Sequence, residues 1–277
     1  MERLIFPTIT EMLDGVELET IRWIAELNRF TDFGPLPLDE KEIYEVMVTH
    51  QVSHLRDRNR IAESGSYANL RDSFPAMRSD LVERGFEEPS GYFVVFCLVP
   101  VVIIHHAAIK EPPRSWKELA EPQWKGRVIT FDMTVIHRLL GIGMKEIIGD
   151  RTEEFMESIG FHGAPINVNH EVDSGQADVA IMPLPFARTS RQGNVRMLWP
   201  EDGAFVVPNV ITFKKNPDQR AIDIGKYLLS DKVQRMMNSL GLIPVSPNAD
   251  LPVQVTENNL NLRWHNWSEF IKALNSD

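Results

Sequence analysis

Residues Glu111–Asp132 read EPPRSWKELAEPQWKGRVITFD, and the fold class turns on them. Pro113 and Arg114 bring the chain in extended. Ser115 with Glu118 three residues on makes a capping box, in which each side chain satisfies a backbone N–H that a helix start leaves free. After the turn at Gly126, Arg127-Val128-Ile129-Thr130-Phe131 reads as a strand, and Asp132 ends it at the mouth of the next helix. The stretch is therefore one strand-and-helix unit of an α/β protein.

Outward from this unit the same alternation continues. Downstream, Met133–Ile148 and Thr152–Ile159 read as helices, and His170–Gly175 as a short helical turn. Strands are expected at Ala177–Met182, Val195–Trp199 and Ala204–Phe213. Asn216-Pro217 and Ser230 start the helices Asp218–Leu229 and Asp231–Leu240, and Gly241 ends the second. The tail carries Pro244, Pro247 and Pro252 before an amphipathic end, Trp264–Leu274. Upstream, Leu4–Thr8 suits a short strand and Val16–Asn28 a helix. Asp39 with Glu42 opens a long helix whose face includes Ile43, Met47, Val52, Leu55 and Ile61. That helix would carry His50 and His54 on one side, at a spacing that can share a metal, though no HExxH is present. Ser64-Gly65-Ser66-Tyr67 is a polar turn, Phe74–Arg84 a further helix, and Gly91–Ile104 a core run split by Pro100. Strands alternating with helices point to α/β layers with mainly parallel pairing.

The 277 residues suffice for one large domain or two lobes. A net charge of −10 argues against nucleic acid and anionic membranes as partners, since both are polyanions. The longest apolar run, Tyr92–Ile104, is shorter than the about 20 residues a membrane-spanning helix needs, so no membrane insertion is expected. The start, MERLIFPTITEML, lacks the basic, apolar and small-residue succession of a secretory leader. The single cysteine, Cys97, permits no intrachain disulfide and lies in the core run, where it reads as a buried thiol. Dinucleotide-binding, P-loop and nucleophile-elbow motifs are all missing, so no enzyme activity and no cofactor are expected.

Several segments in order resemble the extracellular solute-binding proteins of ABC importers, in the iron/thiamine/polyamine-type cluster. Pro113–Leu119 with Pro122–Val128 resembles the family's P-x-S-W-x-D-L and P-x-[WF]-K-G-x-[VI] elements. Ser174–Ala180 is similar to its G-x-A-D-[VI] segment, and Trp199–Ala204 to its P-x-D-G strand entry. Lys215-Asn216-Pro217, Tyr227–Ser230, Gln234 and Gly241–Val245 resemble its C-terminal helix pair and end.

The resemblance implies an α/β, two-lobed type II periplasmic-binding-protein-like fold with a hinge and an interlobe cleft. Lobe 1 would comprise residues 1–104 and 206–277, and lobe 2 residues 105–205, with hinges near Ile103–Ala107 and Gly203–Val206. A small ligand, either a metal ion, an oxyanion or an organic solute, would sit beyond strand ends. The cleft residues expected on this basis are Thr8, Ser66 and Tyr67 on the near lobe. Asp132, Met133, Thr134, Pro183 and Leu184 are expected on the far lobe, and His105, Glu201 and Asp202 near the hinge. His105-His106 stands where the family commonly carries Tyr-Asn. Iron-binding members use an adjacent tyrosine pair, whereas the four tyrosines here are all isolated in sequence. The implied partner is an importer permease and the implied location periplasmic or extracellular. Without a leader the alternative is a cytosolic enzyme or ligand sensor on the same fold.

Overall fold

Two long strands carry the architecture. The computed structural model describes residues 36–39, 41–50, 52–56, 58–132, 134–264 and 266–275. The expected elements at Leu4–Thr8 and Val16–Asn28 lie outside them. In chain order the strands are β1 (Val46–Thr49), β2 (Val94–His106), β3 (Val128–Thr130), β4 (Gly160–Phe161), β5 (Val179–Pro183), β6 (Val195–Leu198), β7 (Ala204–Phe213), β8 (Ile243–Pro244) and β9 (Leu262–Arg263). They form one hydrogen-bonded sheet in the order β1-β7-β2-β5-β3-β4, with β6 and β8 also on β2, and β9 on β7.

β2 changes partners part-way along. Up to Leu98 its neighbours are β7 and β8; from Ile103 they are β6 and β5. Val101 stands at the exchange, facing Phe205 on one side and Pro183 on the other. One strand thus runs through both halves of the sheet, pairing first with β7 and β8 and then with β5 and β6. The buried run of apolar side chains is what a central strand requires: Phe96, Cys97, Leu98 and Val101 through Ile104 are all sealed from solvent. Cys97 is among them, and burial pushes its thiol up to about 12, leaving it protonated and inert.

Pairing is mixed and not mainly parallel. β3 runs parallel to β4 and β5, and β7 to β9, whereas β2 is antiparallel to β5, β6, β7 and β8. The crossing strands β2 and β7 run antiparallel where they pair, so the sheets they thread cannot be purely parallel.

Local differences from the sequence reading have physical causes. The capping box at Asp39 produces only a turn, with Glu42 N–H donating to the Asp39 carbonyl. Val46, Val48 and Thr49 are β-branched and pair with Val210–Phe213 as β1, so helix begins again only at Val52–Arg56. Pro75 restricts Phe74 to extended backbone, and helix is confined to Ser79–Val82. The short turn at His170 is the end of a longer helix, Pro165–Asp173, that proline starts.

The unit at Glu111–Asp132 is held from three sides. Ser115 Oγ accepts from Glu118 N–H at 3.0 Å, and Glu118 in return accepts from Arg114 N–H at 2.8 Å, one residue earlier than in the standard box. Asp202 accepts from Trp116 N–H at 3.0 Å and Lys117 N–H at 3.2 Å. Trp116 is buried, donates Nε1–H to the Gly203 carbonyl at 2.7 Å and stacks on Phe205 with centroids 4.5 Å apart. The tryptophan therefore fastens this unit to the start of β7.

Candidate functional site

In sheets of this kind, a ligand site forms beyond the carboxyl ends of strands, where loops can converge. Three such ends matter here: those of β5, β3 and β1.

β5 ends at Pro183, which caps the four-residue helix Leu184–Ala187. Leu184 is buried, and Asn169 and Thr189 both donate to the Phe186 carbonyl, so the turn is fixed. Arg188 comes next and reaches across to the C-terminal helices. Its Nη1 donates to the carbonyl of Ser239, in the last turn of helix Asp231–Ser239, at 3.2 Å. A cation at a helix C-terminus complements the free carbonyls there.

An open cavity of about 710 Å³ lies at this junction, lined by Arg188 together with Arg78, Ser239, Asp250, Leu251 and Val253. That volume is within the range of small-molecule sites. The charges around it are unequal in their commitments. Arg78 forks onto Asp80 at 2.7 and 2.9 Å and donates to the Ala249 carbonyl at 3.1 Å, so it holds the 245–249 segment in place. Arg188 has no acidic partner among the described residues, and Asp250 makes no hydrogen bond or ion pair among them.

At the end of β3, Asp132 is exposed and its Oδ1 lies 3.7 Å from His137 Nε2. The His137 ring stacks on Phe161 at 3.6 Å. Burial lowers the His137 pKa, and Asp132 opposes that shift. On the neighbouring strand end, His162 Nδ1 pairs with Glu171 Oε2 at 2.7 Å. Thr134 begins helix Thr134–Ile148.

At the end of β1, Thr49 Oγ1 and His54 Nδ1 are hydrogen-bonded at 2.8 Å, and His50 is half-buried. Burial, and then the neighbouring His54, push His50 down to about 4, so its imidazole is neutral at neutral pH. Helix Val52–Arg56 packs on helices Thr134–Ile148 and Trp267–Leu274, placing this corner against the helix that comes after β3. Among the described residues no three His, Cys, Asp or Glu side chains converge as a metal cage.

The remaining residues expected in the cleft take other places. Ser66 Oγ donates to the Leu38 carbonyl at 3.1 Å and Tyr67 OH to that of Pro37 at 2.7 Å; burial raises Tyr67 to about 12. Both hydroxyls are thus spent on pinning the 37–38 segment. His105 is buried opposite Val179, at the other end of β5 from Pro183, with Nδ1 3.0 Å from the His106 carbonyl oxygen. Glu201 is exposed, and its N–H donates to the Arg114 carbonyl. Asp202 caps the Trp116 helix as described. Thr8 and Met133 lie outside the described residues.

Of the expected set, none lines the cavity: Pro183 and Leu184 only precede Arg188 in the chain, and Asp132 meets an imidazole. Arg188 and Asp250 are additions from the structure. Arg188 sits one helical turn beyond the expected Pro183-Leu184 pair, and Asp250 lies in a proline-marked loop that carries no motif.

A two-lobed α/β body with two crossing strands and a cavity at a strand end is the type II periplasmic-binding-protein fold. The chain belongs to the bacterial extracellular solute-binding protein family, whose model matches residues 41–273. Solved structures agree at low identity. The apo ferric ion-binding protein A of Pasteurella haemolytica is 15% identical, with 99% of this chain and 92% of that one covered at a TM-score of 0.71. A ferric binding protein from Bordetella is 16% identical, with 99% and 93% covered at 0.67. An ABC transporter protein from Clostridium perfringens is 17% identical, with 99% and 92% covered at 0.63. Among curated proteins, none matches the sequence. No helix among the described residues is long and apolar enough to cross a membrane.

Proposed function

We propose that the protein captures a small solute between its lobes and hands it to an ABC importer permease outside the cytoplasmic membrane, without chemical conversion. The observation that carries this reading is the exchange of neighbours along β2. From Leu98 to Ile103 the strand exchanges one pair of neighbours for another, and the cavity opens where the β5 end meets the C-terminal helices. We place the first lobe boundary at Val99–Val102, a few residues before the Ile103–Ala107 expected from sequence, and the second at Gly203–Phe205. Closure about these crossings would bring Arg188 and the 247–253 loop onto the ligand.

The test is a thermal-shift series across metal salts, oxyanions, polyamines, thiamine phosphates, organic acids and amino acids, with small-angle scattering on any hit. A ligand at one hundred times its Kd adds about 2.7 kcal/mol to folding stability and should contract the molecule. No stabilisation by any class would overturn the reading.

A ferric or other metal ion is the second reading. The ferric proteins among the relatives suggest it, and the Asp132–His137 contact beside His162–Glu171 is the local feature that favours it. The adjacent tyrosine pair expected of iron binders is missing from the sequence, which weighs for a different ligand. Elemental analysis of the protein after iron loading and dialysis separates the two readings.

A further inference from the structure

We infer that the cavity beside Arg188 selects a zwitterion: a small solute with one anionic and one cationic group on an apolar body. The inference rests on the reading of this cleft as the solute site and names the class of solute.

Two charges of opposite sign line the cavity without partners. Arg188 comes from the end of the helix after β5, and Asp250 from the loop opposite, so the two line one cavity from different lobes. Neither has an ion partner among the described residues, and they do not pair with each other. Arg78, the other guanidinium on the lining, is already neutralised by its fork onto Asp80. What remains for a ligand is one positive and one negative group. A purely anionic solute attracted to Arg188 would meet the repulsion of Asp250, and a purely cationic one the reverse. A solute bearing both charges is favoured by both walls.

Two further features fit the same class. Arg188 uses only Nη1 on the Ser239 carbonyl, leaving the Nε and Nη2 edge for two parallel hydrogen bonds to a carboxylate or phosphonate. On the same lining, Leu251 and Val253 present apolar surface, and Val253 is 57% exposed, a large aliphatic side chain open to cover by a ligand's body.

Calorimetry on the whole chain tests this with glycine, β-alanine, 4-aminobutyrate, L-leucine and glycyl-L-leucine, which vary charge spacing and apolar size. L-Leucine is compared with 4-methylpentanoate and 3-methylbutylamine, its counterparts lacking the amine or the carboxylate. At least one zwitterion should bind, and removal of either charge should weaken binding about ten- to hundred-fold, as expected for a charge-assisted hydrogen bond. Arg188→Gln should weaken the zwitterion and its acid counterpart and, by removing a repelling charge, strengthen the amine counterpart, and Asp250→Asn should weaken the zwitterion and the amine and strengthen the acid. Both positions are exposed, and circular dichroism checks that the variants fold. Equal binding of a singly charged analogue, or zwitterion binding indifferent to both variants, would overturn the inference. If zwitterions fail while a metal salt, sulfate or phosphate stabilises the protein, the inference falls and solute capture stands. If no class stabilises it, both fall.

Discussion

Two joints of the molecule, one at the start of β7 and one at the end of β5, are built differently. At the Trp116 seam, a buried indole stacks on Phe205, donates to Gly203, and has its own helix start capped by both Ser115 and Asp202. At the Arg188 junction, a single hydrogen bond to Ser239 spans the rim of an open cavity, and the Arg188 and Asp250 charges beside it are unpaired among the described residues. One contact is over-determined and buried; the other borders an open cavity, with Leu184 packed behind it and its charges exposed. A protein that must close on a solute needs both: a fixed seam that preserves alignment, and a gap whose closure costs little until the ligand supplies the missing partners. The moving side of the molecule is therefore expected at Arg188 and not at the Ser-Trp motif.

The seam can be broken directly. Trp116→Ala removes a fully buried ring together with its stacking on Phe205 and its hydrogen bond, and should cost about 3–5 kcal/mol in a urea titration. A loss below about 1 kcal/mol would mean that the seam is not the rigid joint. The next effect is a pH dependence at the β1 corner, beside the helix that comes after β3. His50 titrates at about 4 in the folded chain, against an ordinary value near 6.5. A histidine pKa depressed by folding makes the unfolded state bind the proton more readily. Stability should thus be fully present above about 6.5, fall as the pH drops toward about 4, and level off below it, with a total loss of up to about 3 kcal/mol. In His50→Asn that portion of the pH profile should be flat. A wild-type midpoint unchanged between pH 7 and 4 would show that the corner does not exclude water.

Much of the seam is legible in sequence and little of the gap is. Ser115, Glu118 and the β3 strand obey local rules, in which a cap needs a short polar side chain and a buried strand needs β-branched residues, so their roles can be read from neighbours a few residues away. Asp202 obeys the same capping chemistry, but for a helix far earlier in the chain, so sequence alone assigns it to the cleft. Ser66 and Tyr67 mislead in the same way, because a polar turn has no sequence mark that says whether its hydroxyls face ligand or backbone. His50 reads as helical because Asp39 and Glu42 spell a cap, whereas the competing strand at Val46–Thr49 depends on β7, which no local rule can see. Arg188 and Asp250 come together only through the crossing of β2 and the packing of the C-terminal helices. Their juxtaposition is a product of topology and carries no spacing to find.

Asp202→Ala tests how far the long-range cap contributes to the seam. It leaves the N–H groups of Trp116 and Lys117 without their carboxylate, and a loss of about 1–2 kcal/mol is expected, the upper part of the range for N-cap removal. Ser115→Ala should cost about 1 kcal/mol, since it removes a single bond, to Glu118 N–H. If Asp202→Ala were the milder of the two, the seam would be held by its local cap, and the crossing at Gly203 would be freer than its packing implies.

Gly241→Ala probes the gap itself. Gly241 has φ +83°, in the left-handed region, and a methyl group there would come within 3.2 Å of Arg188 Nη1 and 3.3 Å of Leu184 Cγ. The backbone term alone costs about 1–2 kcal/mol for a residue with a Cβ. Any cost beyond that is set by whether the neighbours give way. If the Arg188 side is mobile, the guanidinium swings aside, the backbone term is the whole cost, and the ligand-free protein expands slightly in small-angle scattering. If the gap is packed as firmly as the seam, crowding against Leu184 adds a further loss of about 1–3 kcal/mol, as in overfilled cores, with no change in size. The first outcome supports a joint that opens at Arg188; the second would make this junction as rigid as the seam and leave the molecule no hinge on this side.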